Sequence, residues 1–193
     1  QACTRQSTVL HIERSDVAQP VDVCQLLASV HAGVAEPLLG VWHLAGVLSD
    51  GLLPRQGASS FRRVYSAKVH SAWLVQSGCA PTVLHACLHF SSIAALLGGA
   101  GQANYSSASA CLDSLSSSRR ACALVGASVQ WGPWAHVGMA AGGAVSARLH
   151  ALGLGLLSSA DGIAALEAAT EPHAPPVLCA VVVSWHRFLS KVG

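Results

Sequence analysis

Three residues, Lys68, Ser92 and Tyr105, have the types and the spacing needed to deliver a proton to a carbonyl oxygen. The serine stands 13 residues before the tyrosine, and the lysine stands 24 residues before the serine. A phenol suits this task if its pKa, ordinarily about 10, is lowered towards neutrality. A nearby ammonium favours the phenolate, and a serine hydroxyl can hold the carbonyl oxygen in place. The set predicts the proton-delivery group of a carbonyl reductase, with a lowered pKa at Tyr105.

Each of these residues alone has a simpler interpretation. Single serines and tyrosines usually serve packing or turns, and a single lysine on a helix is usually solvated. The prediction therefore depends on their combination and on the sequence around each one. Those segments read SAKVHSAW around the lysine, LHFSSIAALL around the serine and GQANYSSASACLD around the tyrosine.

The elements that would position these residues alternate between strands and helices. Apolar runs predict strands in STVLHIERSDV, LLGVWHLAGV, TVLHACLHFSS, ALVGASVQWGPW and PPVLCAVVVSW. Helical spacing predicts helices in VDVCQLLASVHAG, SSFRRVYSAKVHSAWLVQSG, the segment 104–120 and SADGIAALEAAT. We expect Gly33 to cap the first helix at its C-terminus, and Ser159 or Asp161 to cap the last at its N-terminus.

This alternation predicts an α/β fold with a Rossmann-like parallel sheet and helices on both of its faces. Ligands of such sheets bind outside the carboxyl ends of the strands. Asp16, Gly46, Ser92 and the WGPW loop each follow a predicted strand, so we expect them at that edge. The small-residue stretch from Gly138 to Ala147 is interpreted as a lid over a substrate cleft.

Composition narrows the class of protein further. The 193 residues fit one domain or most of one, and only 10% are charged, against about 25% in an average domain. The longest apolar run, Val177 to Val183, is far shorter than the roughly 20 residues of a membrane span, so we expect no membrane partner. A net charge of +2 without a basic stripe argues against nucleic acid.

Cysteines and histidines point to no disulfide and no metal. Seven cysteines occur without a CxxC pair, which predicts a reducing, cytoplasmic compartment. Ten histidines occur without an HExxH motif, and we expect His85 and His89 to be structural or surface residues. The chain begins QACTRQ, with neither a Met nor a leader, which suggests a piece of a longer polypeptide.

These segments together resemble one family, the ketoreductase domains of modular polyketide synthases and related fatty-acid synthases, in the short-chain dehydrogenase/reductase superfamily. The family phrases AKVxGAW, GQANYAAANAFLD and HAAGVLDDG stand here as AKVHSAW, GQANYSSASACLD and HLAGVLSDG, and WGPW is identical. Most short-chain reductases carry their lysine four residues after the tyrosine, where this chain has Ser109. The resemblance runs from about Val9 to Leu189.

The resemblance implies NADPH as cofactor and a role for each matching residue. Tyr105 would donate the proton, Ser92 would orient the carbonyl and Lys68 would tune and position Tyr105. Ser109 stands where the family usually has Asn, which offers a longer arm with both a donor and an acceptor. Besides Lys68 and Tyr105, the implied cofactor contacts are Asp16 and Val17 at the adenine, Ala45 and Gly46 at the ribose side, and Gly132 and Pro133 at the nicotinamide end.

The resemblance also implies a substrate and partners. The substrate would be a β-ketoacyl chain on the phosphopantetheine arm of an acyl carrier domain, among other domains of a megasynthase. Asp50, Leu97 and Asn104 would lie on the substrate side, and their identities favour a product of the D-hydroxyl type.

One expected part is missing from the sequence. No GxGxxG-like nucleotide loop follows a first strand, and the GGAGQAN stretch lies between the serine and the tyrosine. We therefore interpret residues 1–193 as the C-terminal, catalytic portion of one ketoreductase domain, lacking the first βαβ nucleotide-binding unit. On its own it should bind NADPH poorly. The alternatives are a catalytically degenerate, structural copy of such a domain and a free-standing short-chain reductase.

Overall fold

The computed structural model describes residues 9–33, 37–135 and 149–192. Its strands are β1 (Gly40–His43), β2 (Ala86–Ser92), β3 (Ala127–Trp131), β4 (Leu154–Gly155), β5 (Val177–Ala180) and β6 (Val182–Val183). Four of them form one sheet in the order β1-β2-β3-β5, and every pairing in it is parallel. β4 and β6 form a separate antiparallel pair. The predicted parallel sheet is confirmed, whereas the predicted lid at 138–147 lies outside the described residues.

The four predicted helices are present, together with two that were not predicted, Ala94–Leu97 and Trp185–Val192. They are α1 (Pro20–Gly33), α2 (Ala58–Tyr65), α3 (Ser71–Gly78), α4 (Ala94–Leu97), α5 (Ala103–Ala121), α6 (Ser159–Thr170) and α7 (Trp185–Val192). The long helix predicted before β2 is present as α2 and α3, joined by a π-helical turn over Ser66–His70. A short 3-10 turn, Leu53–Arg55, precedes α2.

Helices cover both faces of the sheet, as predicted. On one face, His89 and Ser128 point towards α5, where they hydrogen-bond to Ser116 and Asp113. On the other face, a core cluster of Leu88, Val129, Trp131 and their neighbours packs against α6. Successive strand residues point to opposite faces, so one polar and one apolar set can alternate along β2 and β3.

The first predicted strand is wrong for the part of it that the structure describes. Residues 9–16 contain no strand, and Val9, Leu10 and Ile12 are all more than 70% exposed. A strand needs a neighbour to accept its backbone hydrogen bonds, and none of the described strands pairs with this segment. Its apolar residues are therefore uncovered here.

Two boundaries also differ from the predictions. Ser158, rather than Ser159 or Asp161, is the N-cap of α6, because its hydroxyl accepts from the Asp161 N–H at 3.1 Å. Asp161 completes a capping box by accepting from the Ser158 N–H at 3.1 Å. The last predicted strand is divided at Val181, because β5 continues the parallel sheet while β6 turns away to pair with β4.

Candidate active site

Lys68 and Tyr105, 37 residues apart in sequence, meet inside the protein. The Lys68 Nζ lies 3.4 Å from the Tyr105 phenol oxygen and 4.5 Å from the centre of its ring. The ammonium also donates to the Phe90 carbonyl at 3.0 Å. Both side chains are buried, with only 2% of Lys68 and 7% of Tyr105 exposed. A charged group is rarely buried this far without a task, since it loses most of its hydration.

The π-helical turn is the local structure that presents Lys68. Such turns are rare and are frequent at functional sites, because the wider turn re-aims a side chain relative to a regular α-helix. Gly46 lies alongside the aliphatic stem of Lys68, where a Cβ would stand 3.9 Å from its Cδ. The lysine head is directed to the carboxyl end of β2, where it donates to the Phe90 carbonyl two residues before Ser92.

Ser92 is the last residue of β2 and is half-buried. Its hydroxyl accepts from the Ala94 N–H at 3.1 Å, which fixes the side chain at the start of α4. Its hydrogen bond to the phenol is one of the influences on the pKa of Tyr105. The structure therefore brings together the three residues from which the sequence prediction began.

The predicted lowering of the Tyr105 pKa is not found. Burial raises the pKa of Tyr105, the Ser92 hydrogen bond acts against that rise, and the negative charge of Asp50 adds to it. The neighbouring ammonium is less able to stabilise a phenolate, because burial lowers the pKa of Lys68 to about 8 even though the Asp113 carboxylate acts to raise it. The phenol is consequently fully protonated at neutral pH, which is the form that donates a proton.

Ser109, one helical turn after Tyr105, is completely buried. Its hydroxyl has no hydrogen-bond partner among the residues that the structure describes. Its backbone carbonyl accepts from the Ser91 hydroxyl at 3.1 Å, which ties α5 to β2 at this level. A buried hydroxyl without a described partner costs stability.

The positions expected to contact a cofactor divide into two sets. Ala45, Gly46, Gly132 and Pro133 follow β1 and β3, at the carboxyl edge where Ser92 also lies. Asp16 and Val17 instead precede α1, and no hydrogen bond among the described residues links them to Lys68, Ser92 or Tyr105. A polar turn forms there, with the Asp16 N–H donating to the Asp22 carboxylate at 2.9 Å.

The three substrate-side residues differ in what they contact. Asp50 is exposed and accepts from the Gln102 amide at 3.1 Å, and Leu97 is 45% exposed. Asn104 is fully buried: its amide donates to the Ser49 carbonyl at 2.9 Å and accepts from the Tyr105 N–H at 2.7 Å. Asn104 thus bonds to the loop that contains Ser49 and does not line an open surface.

Sequence reasoning missed two residues that support this site. Asp113 on α5 accepts from Ser128 at 2.6 Å and from Gln130 at 2.8 Å, which fixes the tyrosine helix against β3. Gln56 makes three hydrogen bonds to backbone groups beside Tyr105. Asp113 could have been found from its position eight residues after the tyrosine, on the same helix face. Gln56 lies in a loop with no motif of its own.

Over 9–33, 37–135 and 149–192 no group of three His, Cys, Asp or Glu residues could hold a metal ion. His89 is buried and structural, and its ring nitrogen bonds the Ser116 hydroxyl. In those ranges, too, the helices are too short or too polar to cross a bilayer.

The family follows from comparison with known proteins. A family model described as the KR domain matches residues 1–136. The chain belongs to the KR domain family. It is 40% identical over 157 residues to the spectinabilin polyketide synthase system protein NorB of Streptomyces orinoci, covering 80% of this chain and 7% of that protein. It is 38% identical to a phenolphthiocerol/phthiocerol polyketide synthase subunit of Mycobacterium tuberculosis, over 81% of this chain and 8% of that one.

Solved structures agree with this assignment. The fold matches a structure of A-type ketoreductases from a modular polyketide synthase with a TM-score of 0.85 at 30% identity, over 94% of this chain. It matches the ketoreductase from the first module of phoslactomycin biosynthesis in a Streptomyces species with a TM-score of 0.84 at 33% identity, over 91% of this chain. The KR chain spans only 38% and 40% of those two ketoreductases. It corresponds to part of each.

Proposed function

We propose that this KR chain is the catalytic part of an NADPH-dependent ketoreductase that converts a β-ketoacyl thioester into the β-hydroxyacyl thioester. The observation that carries the proposal is the buried contact between Lys68 and Tyr105, with Ser92 at the end of the adjoining strand. KR membership and polyketide synthase relatives supply the reaction class.

The proton would pass from the Tyr105 hydroxyl to the carbonyl oxygen of the substrate. A phenol with its ordinary pKa near 10 already holds its proton at neutral pH, and burial raises the pKa of Tyr105 further, so it begins the reaction in the donating form. The resulting phenolate would be stabilised by the Lys68 ammonium, whose Nζ lies 3.4 Å from the phenol oxygen. Ser92, half-buried beside the phenol, would donate to the same carbonyl oxygen and hold it in line.

The residues present fit a nicotinamide cofactor. The ammonium of Lys68 has three N–H groups, and the described residues accept only two of them, through Phe90 and Tyr105. The remaining donor suits a ribose hydroxyl, with Gly46 beside the lysine stem and Gly132 and Pro133 along the same edge. When bound, the nicotinamide supplies the hydride that reduces the carbonyl carbon.

The nucleotide-binding portion of the domain would lie outside residues 1–193. Two observations support this proposal. The matched ketoreductases are more than twice as long as the KR chain. In addition, β1 is at the edge of the sheet formed by the described strands, and Trp42 and Leu44 there are half-exposed and exposed. A parallel sheet edge of this kind is normally covered by a further strand.

The substrate would be carried on the phosphopantetheine arm of an acyl carrier domain. The other partners would be further domains of the same megasynthase, in a reducing, cytoplasmic compartment. The polyketide synthase relatives, of which the KR chain spans less than a tenth, support this setting. Leu97 and Leu96, both exposed next to Ser92, provide an apolar approach for an acyl chain. The product is proposed to be of the D-hydroxyl type.

Ser109 favours a second candidate, an inert structural KR domain. Its hydroxyl is buried without a described partner, at the position where an amide was expected. The two proposals predict different results for one measurement, the oxidation of NADPH. The intact polypeptide that contains this chain should oxidise NADPH only when a β-ketoacyl thioester is added, and should form the β-hydroxy product.

A Ser109→Asn variant serves as the matched comparison. The reductase proposal predicts an active wild type. A faster Ser109→Asn variant, with an unchanged melting temperature, would show that the hydroxyl supports the reaction less well than an amide does. Binding of NADPH without any product, in both proteins, would contradict the reductase and leave the inert domain.

A further inference from the structure

Gln56 bonds to three backbone groups near Lys68, Ser92 and Tyr105, although it is not itself one of the proton-delivery residues. It follows the 3-10 turn Leu53–Arg55, and its side chain is half-buried. Its amide nitrogen donates to the Gly51 carbonyl at 2.7 Å and to the Gly101 carbonyl at 2.8 Å. Its amide oxygen accepts from the Asn104 N–H at 3.2 Å. Both amide hydrogens and the oxygen are therefore in use.

The bond to Asn104 caps the helix that carries Tyr105. The first N–H groups of a helix have no partner within the helix. Gln102, the N-cap residue of α5, makes no capping bond with its side chain, and Gln56 supplies one from 48 residues earlier in the sequence. Tyr105 is the next residue after Asn104, so this bond fixes the turn from which the phenol projects.

The bonds to Gly51 and Gly101 fix the loop that carries Asp50. The Gly51 N–H donates directly to the Gly101 carbonyl at 2.9 Å, and the Asn104 amide donates to the Ser49 carbonyl at 2.9 Å. Gly101 has a φ of 78°, a conformation that favours glycine, and a Cβ added to it would stand 3.5 Å from the Gly51 backbone. The loop and the start of α5 thus form one connected unit, and Gln56 bonds to both parts of it, alongside the side chains of Asn104 and Gln102.

We propose that Gln56 is a positioning residue of the reaction, which sets the configuration of the product alcohol by holding the Ser49–Gly51 loop against the start of the Tyr105 helix. The inference rests on the proposed function. A carbonyl gives one hand of alcohol only if it lies in one orientation between the hydride and the proton donor. The loop is adjacent to the donor, so its position restricts that orientation.

Two substitutions separate this role from a merely structural one. Gln56→Leu has nearly the same size and removes all three hydrogen bonds. Gln56→Glu keeps an acceptor for the Asn104 N–H, at a helix N-terminus where a negative charge is favoured, but loses both donated bonds to the loop. Ser158→Ala is the matched control. It removes the cap of α6, and the Ser158 side chain makes no bond to the Ser49–Gly51 loop or to the start of α5.

The experiment uses the intact polypeptide, NADPH and a β-ketoacyl thioester, with kcat, KM and the ratio of the two alcohol configurations as readouts. Misplacement of reacting groups by about 1 Å can cost on the order of 100-fold in rate, so we expect kcat to fall by about 10- to 100-fold in Gln56→Leu. We expect both Gln56 variants to give a mixed product. We expect Gln56→Glu to melt below the wild-type temperature at neutral pH, because its carboxylate would face the Gly51 and Gly101 carbonyls. Ser158→Ala should lower the melting temperature and leave the product ratio unchanged.

Amide hydrogen exchange gives a readout that does not depend on turnover. Exchange in peptides covering 48–56 and 101–108 should quicken in Gln56→Leu and stay unchanged in Ser158→Ala. Active wild-type protein, with both Gln56 variants turning over within twofold of it to the same alcohol, would overturn the role of Gln56 alone. Wild-type protein without turnover would overturn the proposed function, and the role of Gln56 in it.

Discussion

Acid should unfold this protein by charging two histidines inside it. His43 and His89 are neighbours across β1 and β2 and are almost fully buried. Burial is the main cause that lowers the pKa of His43 to about 4 and that of His89 to about 3. The positive charge of Lys68 assists at His43, and the charges of protonated His43 and then of Arg119 assist at His89. The Ser71 hydroxyl donates to the Ala67 carbonyl, so it accepts from His43 Nε2, and the neutral tautomer is fixed.

The sign and the size of the effect follow from these pKa values. In the unfolded chain both rings take up a proton near pH 6.5, whereas in the folded protein they do so only near pH 4 and pH 3. Their contribution to stability is complete above pH 6.5 and is lost as the pH falls below it. Each contributes about 1.4 kcal/mol per pH unit, so the two together give a slope of about 2.7 kcal/mol per unit at most.

The assay is urea denaturation at half-unit steps between pH 7 and pH 4.5. His89→Gln keeps a polar group for Ser116 but cannot take up a proton, so the slope of unfolding free energy against pH should halve. His173→Gln, at an exposed position, should leave the slope unchanged. Equal slopes for wild type and His89→Gln, or no loss of stability between pH 6.5 and pH 5, would refute the reasoning.

Three further predictions concern single side chains. The reduction rate should fall as the pH rises through about 8, where buried Lys68 loses its proton, and Lys68→Met should lower kcat by at least about 100-fold; a variant within threefold of wild type would contradict this. Gly162→Ala should destabilise the protein by about 1–3 kcal/mol in urea, because the new Cβ would overlap the Trp134 ring, while Gly33→Ala, in open space at the end of α1, should not. Asp113→Asn should cost about 1–3 kcal/mol by leaving Ser128 or Gln130 without an acceptor, and an unchanged midpoint would argue against those bonds.

The periodic parts of the fold were predictable, because the spacing of apolar residues reflects which side of a strand or helix is buried. Continuous apolar runs identified β2 and β3, and helical spacing identified α5 to within a residue at each end. The first predicted strand had the same apolar pattern, but its described residues, 9–16, are not a strand. A hydrophobic run records what a segment is able to bury, whereas a strand also requires a hydrogen-bonding neighbour, and no described strand lies beside it.

The candidate site was predictable in its members but not in its electrostatics. The spacing of Lys68, Ser92 and Tyr105 predicted a group that the structure does bring together. The pKa of Tyr105 depends on how much burial opposes its charge, which no spacing conveys. The role of Gln56 was also hidden, because its partners are backbone groups up to 48 residues away, and backbone groups leave no trace in the sequence.

The central claim is that Tyr105 gives its proton to a ketone held beside it. The most direct test is formation of the β-hydroxyacyl product from a β-ketoacyl thioester and NADPH by the intact polypeptide, in wild type and in Tyr105→Phe. Phe keeps the ring that packs with Val64 and Ala108 but removes the donor. We expect NADPH to bind both proteins and product formation to fall by at least about 100-fold in the variant. Equal product from both proteins would contradict the account.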